Sequence, residues 1–124
     1  MDKQIMIVDD DSSIRETVEI VLGAGGYSTC AADSGMECLD KLRSGFRGLI
    51  LMDIMMPGMN GWDTIAVIEN EGLHGGNVIC MLTAVNDPGP ELEKLTESVM
   101  DYIRKPCTSE ELLETVAEYL AYVQ

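Results

Sequence analysis

Three short stretches of this chain, Ile5–Val8, Leu49–Met52 and Val78–Leu82, are unbroken runs of apolar residues. A strand with one face in water alternates apolar and polar residues, because successive side chains point to opposite faces. An unbroken run needs cover on both faces, as at the centre of a parallel sheet with helices above and below it. Two more polar segments, Tyr27–Ala32 and Tyr102–Ile103, fit the edges of the same sheet. Each gap between the five segments has room for a helix. Alternating strands and helices imply right-handed crossovers and an α/β fold.

Start and stop signals support those helices. Ser13 precedes Glu16 by three, Ser34 precedes Glu37 by three and Thr108 precedes Glu111 by three, the spacing of a capping box. After the first, Ile14, Val18, Val21 and Leu22 share a helical stripe that Gly23, Gly25 and Gly26 bring to an end. After the third, Leu112, Leu113, Val116 and Leu120 form another. Gly61–Asn70 reads as a helix with Trp62, Ile65 and Ile68 on its apolar side. In the region Asn86–Val99, Asp87-Pro88-Gly89-Pro90 delays any helix to about Pro90.

The 124 residues suit one domain, 1–124, with a core large enough to need no staples. Eight Lys+Arg against 22 Asp+Glu leave a net charge of −14, which disfavours direct contact with nucleic acid or an anionic membrane. Cys30, Cys38, Cys80 and Cys107 lack the spacing of a zinc or redox pair and read as buried thiols. No signal peptide or membrane span is legible, so a cytoplasmic location is expected.

The polar residues that interrupt the pattern fall at the carboxyl ends of the strands: Asp9 and Asp10, Asp53, Thr83 and Lys105. An open parallel sheet binds ligands at that end, where the strand order reverses. If the apolar runs are central, Asp9, Asp10 and Asp53 converge there. Three neighbouring carboxylates repel one another, and a divalent cation such as Mg²⁺ offsets the repulsion with carboxylate, water and phosphate oxygens. Lys105 and Thr83 supply a positive charge and a hydroxyl for an anionic phosphoryl group. A carboxylate is also a competent nucleophile toward phosphorus. The competing reading of Asp9-Asp10-Asp11 is negative charge placed at a helix N-terminus.

Four segments, Ile5-Met6-Ile7-Val8-Asp9-Asp10-Asp11, Leu51-Met52-Asp53-Ile54-Met55-Met56-Pro57-Gly58-Met59-Asn60-Gly61, Leu82-Thr83-Ala84 and Asp101-Tyr102-Ile103-Arg104-Lys105-Pro106, together resemble the receiver family of two-component response regulators. The resemblance implies a doubly wound, flavodoxin-like fold: a five-stranded parallel sheet in the order 2-1-3-4-5 with helices on both faces. It also implies that Asp53 is the phosphoacceptor. Asp10 and Asp53 would bind Mg²⁺ directly, Asp9 through water, and the backbone carbonyl of Met55 would complete the protein ligands. Thr83 and Tyr102 would form a switch pair with small Ala84 between them in the phosphoryl pocket, Lys105 would hold the charge, and the Lys105-Pro106 bond would be cis. Met55 and Val85 would flank the path of the hydrolytic water. Implied partners are a sensor histidine kinase or phosphotransfer protein upstream, and a protein target or an output domain downstream, with a phosphorylation-dependent dimer also within the family's range.

This chain departs from the family's usual pattern at Ser98-Val99, where Gly-Ala is common, at Gly48, where Asp is common, and in the proline-rich Asp87–Pro90 segment. The runner-up reading is an aspartyl-phosphate phosphatase of the haloacid-dehalogenase type, which wants a second Asp where Met55 stands. A flavin mononucleotide binder wants a Ser/Thr/Gly-rich loop after the first strand, and a P-loop enzyme wants its GxxxxGK[ST] motif. Met52, Met55, Met56 and Met59 read as packing and loop residues, His74 as a solvated loop residue, and Trp62 as a packing residue near the site.

Overall fold

A computed structural model describes residues 4–83, 99–104 and 108–123, with the backbone alone for Thr83, Met100, Asp101, Tyr102 and Arg104. Its elements are β1 (Gln4–Val8), α1 (Ser12–Ala24), β2 (Ser28–Ala32), α2 (Gly35–Arg43), β3 (Gly48–Asp53), α3 (Gly61–Asn70), β4 (Val78–Thr83), β5 (Val99–Arg104) and α4 (Ser109–Leu120). The expected helix near Pro90, together with Ala84, Val85, Lys105, Pro106 and Cys107, lies outside the described residues.

All strand pairs are parallel and the order is β2-β1-β3-β4-β5. The three apolar runs are the three central strands and the two polar segments are the edges, as their composition implies. β5 is longer than the Tyr102–Ile103 core read from sequence, because Asp101 breaks its apolar character without ending the strand.

The two faces of the sheet separate cleanly by residue parity. Met6, Val8, Ile50, Met52, Ile79 and Met81 pack beneath α2 and α3, against Leu39, Leu42, Ile65 and Ile68. Ile5, Ile7, Leu49, Leu51, Val78 and Cys80 pack on the other side against Leu22 of α1 and Leu112, Val116 and Leu120 of α4. Full burial of an aliphatic side chain of this size stabilises by about 1.5–3 kcal/mol. The central strands that carry the polar ends are therefore anchored in the core from both faces.

Helix starts follow the sequence in part. Thr108 and Glu111 form the complete reciprocal box expected of them. Ser34 caps α2 through the Glu37 N–H, but the Glu37 carboxylate accepts from the N–H of Asp33 and not from that of Ser34. The Ser13–Glu16 box is a misreading. Asp11 is the cap of α1, its Oδ1 accepting from the N–H groups of Ser13 at 2.9 Å and Ile14 at 3.4 Å. The end of α1 also differs, since the helix runs through Gly23 and is capped at Gly25. Gly26, with φ of +90°, makes the left-handed turn that releases the chain into β2. Asn60 and Asp63 cap α3 reciprocally, a box written with amide and aspartate in place of Ser/Thr and Glu.

Candidate metal and acceptor site

Register brings the carboxylates together. Val8 pairs with Met52, so Asp9 and Asp53, each one residue further on, stand side by side at the carboxyl end of the sheet. β1 lies between β2 and β3. The chain therefore reverses its winding direction there, and the crossover loops part to leave a crevice. One carboxylate oxygen each from Asp9, Asp10 and Asp53 lies within 4.8 Å of the others. Asp9 is fully buried and Asp53 nearly so, whereas Asp10 faces solvent.

A buried carboxylate is costly unless hydrogen bonds or a counter-charge meet it. The Asp11 N–H donates to Asp9 Oδ1 at 3.0 Å, and the Met55 N–H donates to Asp53 Oδ1 at 3.2 Å. The backbone is held as firmly. Asp9 N–H donates to Ala32 O, Ile54 N–H to Leu82 O, and Gly61 N–H to Ile54 O at 3.0 Å. Each of these bonds fixes the strand end on which a carboxylate sits.

Two supports went unread in the sequence. Arg15, one turn into α1, donates from a guanidinium nitrogen to the backbone carbonyl of Asp9 at 2.7 Å. Its signal is a cation six residues after the first aspartate, too general a spacing to single out. At Gly61 a Cβ would stand 2.7 Å from the Asp53 carbonyl oxygen and 3.0 Å from Ile54 Cα. Only glycine lets the start of α3 approach the end of β3 so closely.

The donor set fits a hard divalent cation. Three oxygens from carboxylates, with no thiol or imidazole among them, suit Mg²⁺ and suit zinc or copper poorly. Oxygens directly opposite each other around Mg²⁺ are about 4.2 Å apart. A cluster whose oxygens lie within 4.8 Å of one another is on the scale of such a site.

The remaining sequence candidates are placed less fully. Thr83 ends β4, and Thr83 pairs with Arg104, so the strand leading into Lys105 finishes level with it. Tyr102 of β5 pairs with Met81 of β4. Met55 is exposed, Met56 is buried, Met52 lies in the core and Trp62 is half-buried against it. Met55, Met56, Pro57 and Asn60 line a cavity of about 300 Å³ in the loop after β3. His74 is exposed, as its glycine-rich surroundings imply. Cys30 and Cys38 are free thiols, and burial pushes the Cys38 thiol up to about 12.

A doubly wound parallel domain with three consecutive aspartates after β1, where dinucleotide binders carry glycines, and a fourth at the end of β3 defines the class of CheY-like signalling folds. Residues 5–117 match the family described as the response regulator receiver domain. The chain belongs to that family. The DNA-binding response regulator MtrA of Mycobacterium tuberculosis is 37% identical over 116 residues, 94% of this chain and 50% of MtrA. A CheY-like receiver domain protein of Methanospirillum hungatei superposes with a TM-score of 0.92 at 45% identity, covering 98% of this chain and 96% of that one. The chemotaxis response regulator CheY4 of Vibrio cholerae gives 0.84 at 28% identity, covering 97% of this chain and all of that one (100%). The chain spans about half the length of the mycobacterial relatives it matches. It is a receiver domain of the kind found in two-component response regulators. Among the described residues no helix is long and apolar enough to cross a membrane.

Proposed function

We propose that residues 1–124 act as one receiver domain that accepts a phosphoryl group on Asp53 from the phosphohistidine of a sensor histidine kinase or phosphotransfer protein. The observation that supports this reading is the convergence of Asp9, Asp10 and Asp53 at the switch point, with their oxygens within 4.8 Å. Asp10, Asp53 and the backbone carbonyl of Met55 would hold Mg²⁺ directly and Asp9 through water. The cation, when bound, neutralises charge on the entering phosphoryl oxygens.

The chain's own residues do the rest. A carboxylate oxygen of Asp53 attacks phosphorus, the P–O bond forms, and the P–N bond breaks with its electron pair leaving on the imidazole nitrogen. Phosphoryl transfer depends mainly on positioning and charge, so holding both strand ends rigidly is the chief contribution of the fold. Lys105 supplies a fixed positive charge to the phosphoryl group. The Thr83 hydroxyl donates to a phosphoryl oxygen, and the space it vacates past Ala84 lets the Tyr102 ring turn inward. The switch is a shift in population between two packings, driven by their different affinity for the phosphoryl group. A cis Lys105-Pro106 bond would aim Lys105 into the site.

The output is a protein target or a further domain, reached by direct contact or through a phosphorylation-dependent dimer, in the cytoplasm. Self-phosphorylation from small donors and self-dephosphorylation are slow side activities. The phosphatase alternative is not favoured, because Met55 stands where its general acid would be.

Intact mass after incubation with acetyl phosphate tests the proposal. One added phosphoryl group with Mg²⁺ and none with chelator is expected. Equal labelling in both arms would contradict a metal-dependent acceptor.

A further inference from the structure

We propose that Met55 is a peroxide-sensitive modification site whose oxidation shortens the life of the phosphorylated state. The inference rests on Asp53 being the acceptor and adds a redox input to it.

The methionines near the site differ sharply in access. Met52 is fully buried, Met56 is 6% exposed and Met59 half-buried, while Met55 is 68% exposed. Oxidation of a thioether requires an approach to sulfur, so a dilute oxidant selects Met55 from this group. Met55 is also tied to the acceptor, since its N–H donates to Asp53 Oδ1 at 3.2 Å. Its side chain borders a cavity of about 300 Å³ formed with Met56, Pro57 and Asn60, which gives an oxidant and a water molecule room beside its sulfur.

The chemistry balances with a peroxide as the named oxidant. A sulfur lone pair attacks one peroxide oxygen, the O–O bond breaks and the S–O bond forms. The other oxygen leaves as water or alcohol after taking up a proton. Sulfur is oxidised to the sulfoxide and the peroxide is reduced. The product replaces an apolar, polarisable side chain with a polar one bearing a strong hydrogen-bond acceptor. The thioether sulfur accepts a water's hydrogen bond only weakly, whereas the sulfoxide oxygen accepts it strongly and can orient it toward phosphorus. Orientation governs this hydrolysis, and one added hydrogen bond corresponds to roughly a three- to tenfold change in rate.

The test treats the Mg²⁺-loaded protein with limited hydrogen peroxide and maps its methionines by peptide mass. It is then phosphorylated with acetyl phosphate, and loss of the phosphoryl group is followed after the donor is removed. Met55→Leu, and a treated sample repaired with methionine sulfoxide reductases, are carried in parallel, each compared with its own untreated form. Expected are sulfoxide at Met55 ahead of Met52 and Met56, a lifetime shortened roughly three- to tenfold, restoration on repair, and no response in Met55→Leu. Oxidation at Cys30 or Met36 would move parent and variant alike and so overturn the assignment to Met55. Met55 staying reduced while its neighbours oxidise, or a Met55 sulfoxide with an unchanged lifetime, also overturns it. Absence of any label on Asp53 in untreated protein instead overturns the acceptor reading itself, and with it this inference.

Discussion

At the scale of single residues, Asp9, Asp10 and Asp53 differ mainly in exposure, and this divides their tasks. Asp9 is buried and bonded to the backbone of its own turn, Asp53 ends a central strand, and Asp10 alone reaches solvent. Of the three proposed ligands, Asp10 is thus the one whose removal disturbs the fold least. Saturating Mg²⁺, at a hundred times its Kd, is expected to stabilise the parent by about 2.7 kcal/mol, and Asp10→Ala is expected to lose most of that gain. Thermal melts with and without the cation measure it, and a parent whose melting temperature ignores saturating Mg²⁺ would contradict the proposed ligand set. Hydrolysis of the acyl phosphate belongs to the same scale. Met55 and Val85 offer an attacking water no hydrogen bond, so the parent should dephosphorylate slowly. Met55→Asn combined with Val85→Glu should speed the loss by roughly tenfold, equivalent to about 1.36 kcal/mol. An equal or slower rate in the double variant would show that these side chains do not gate the water.

At the scale of elements, the close seat of α3 against the end of β3 holds Asp53 in place. Gly61→Ala places a Cβ 2.7 Å from the Asp53 carbonyl oxygen, and a backbone atom cannot swing aside as a long side chain can. The expected cost is about 1–3 kcal/mol, with weaker phosphoryl uptake because the strand end shifts. Gly75→Ala, with nothing within 4 Å of its added carbon, is the control. Matching denaturation midpoints for the two variants would rule out the close-approach argument. The core face beneath α2 has its own pH signature. The Cys38 thiol is held up to about 12, against an ordinary value of 9.0, first by burial and then by neighbouring Cys30. The folded state keeps this proton at a pH where the unfolded chain loses it, so the contribution is complete below pH 9.0 and fades as pH rises toward 12. Stability should fall across that window, less steeply in Cys38→Ala, and parallel slopes for parent and variant would argue against it.

Elements were the most legible level in the sequence. Unbroken apolar runs gave the three central strands because burial on both faces leaves no polar position to spare. Helix ends were less legible, since the S/T-x-x-E pattern and a nearby aspartate compete for the same N–H groups. At α1 the aspartate wins, with its short side chain one residue before the helix. Arg15 and Gly61 could not be read at all, as each matters only through backbone atoms that the fold brings near.

At the scale of the whole molecule, the charge and the sheet point the same way. A net charge of −14 on 124 residues disfavours polyanions, and the densest negative charge among the described residues lies where the strand order reverses. Strand register alone brings the ends of β1 and β3 together into one carboxylate cluster, which is why the motifs at those two ends were legible before any coordinates. Thr83, at the end of β4, and Lys105 complete that arrangement in the proposal. The central claim, that Asp53 receives the phosphoryl group, is tested most directly by locating the group. Protein labelled with acetyl phosphate and Mg²⁺ is digested at low pH and mapped, beside Asp53→Asn treated identically. A base-labile phosphoryl group on Asp53 of the parent, absent at that position in Asp53→Asn, is the expected result. A phosphoryl group found on another residue, with Asp53 unmodified in the parent and labelling undiminished in Asp53→Asn, would contradict it.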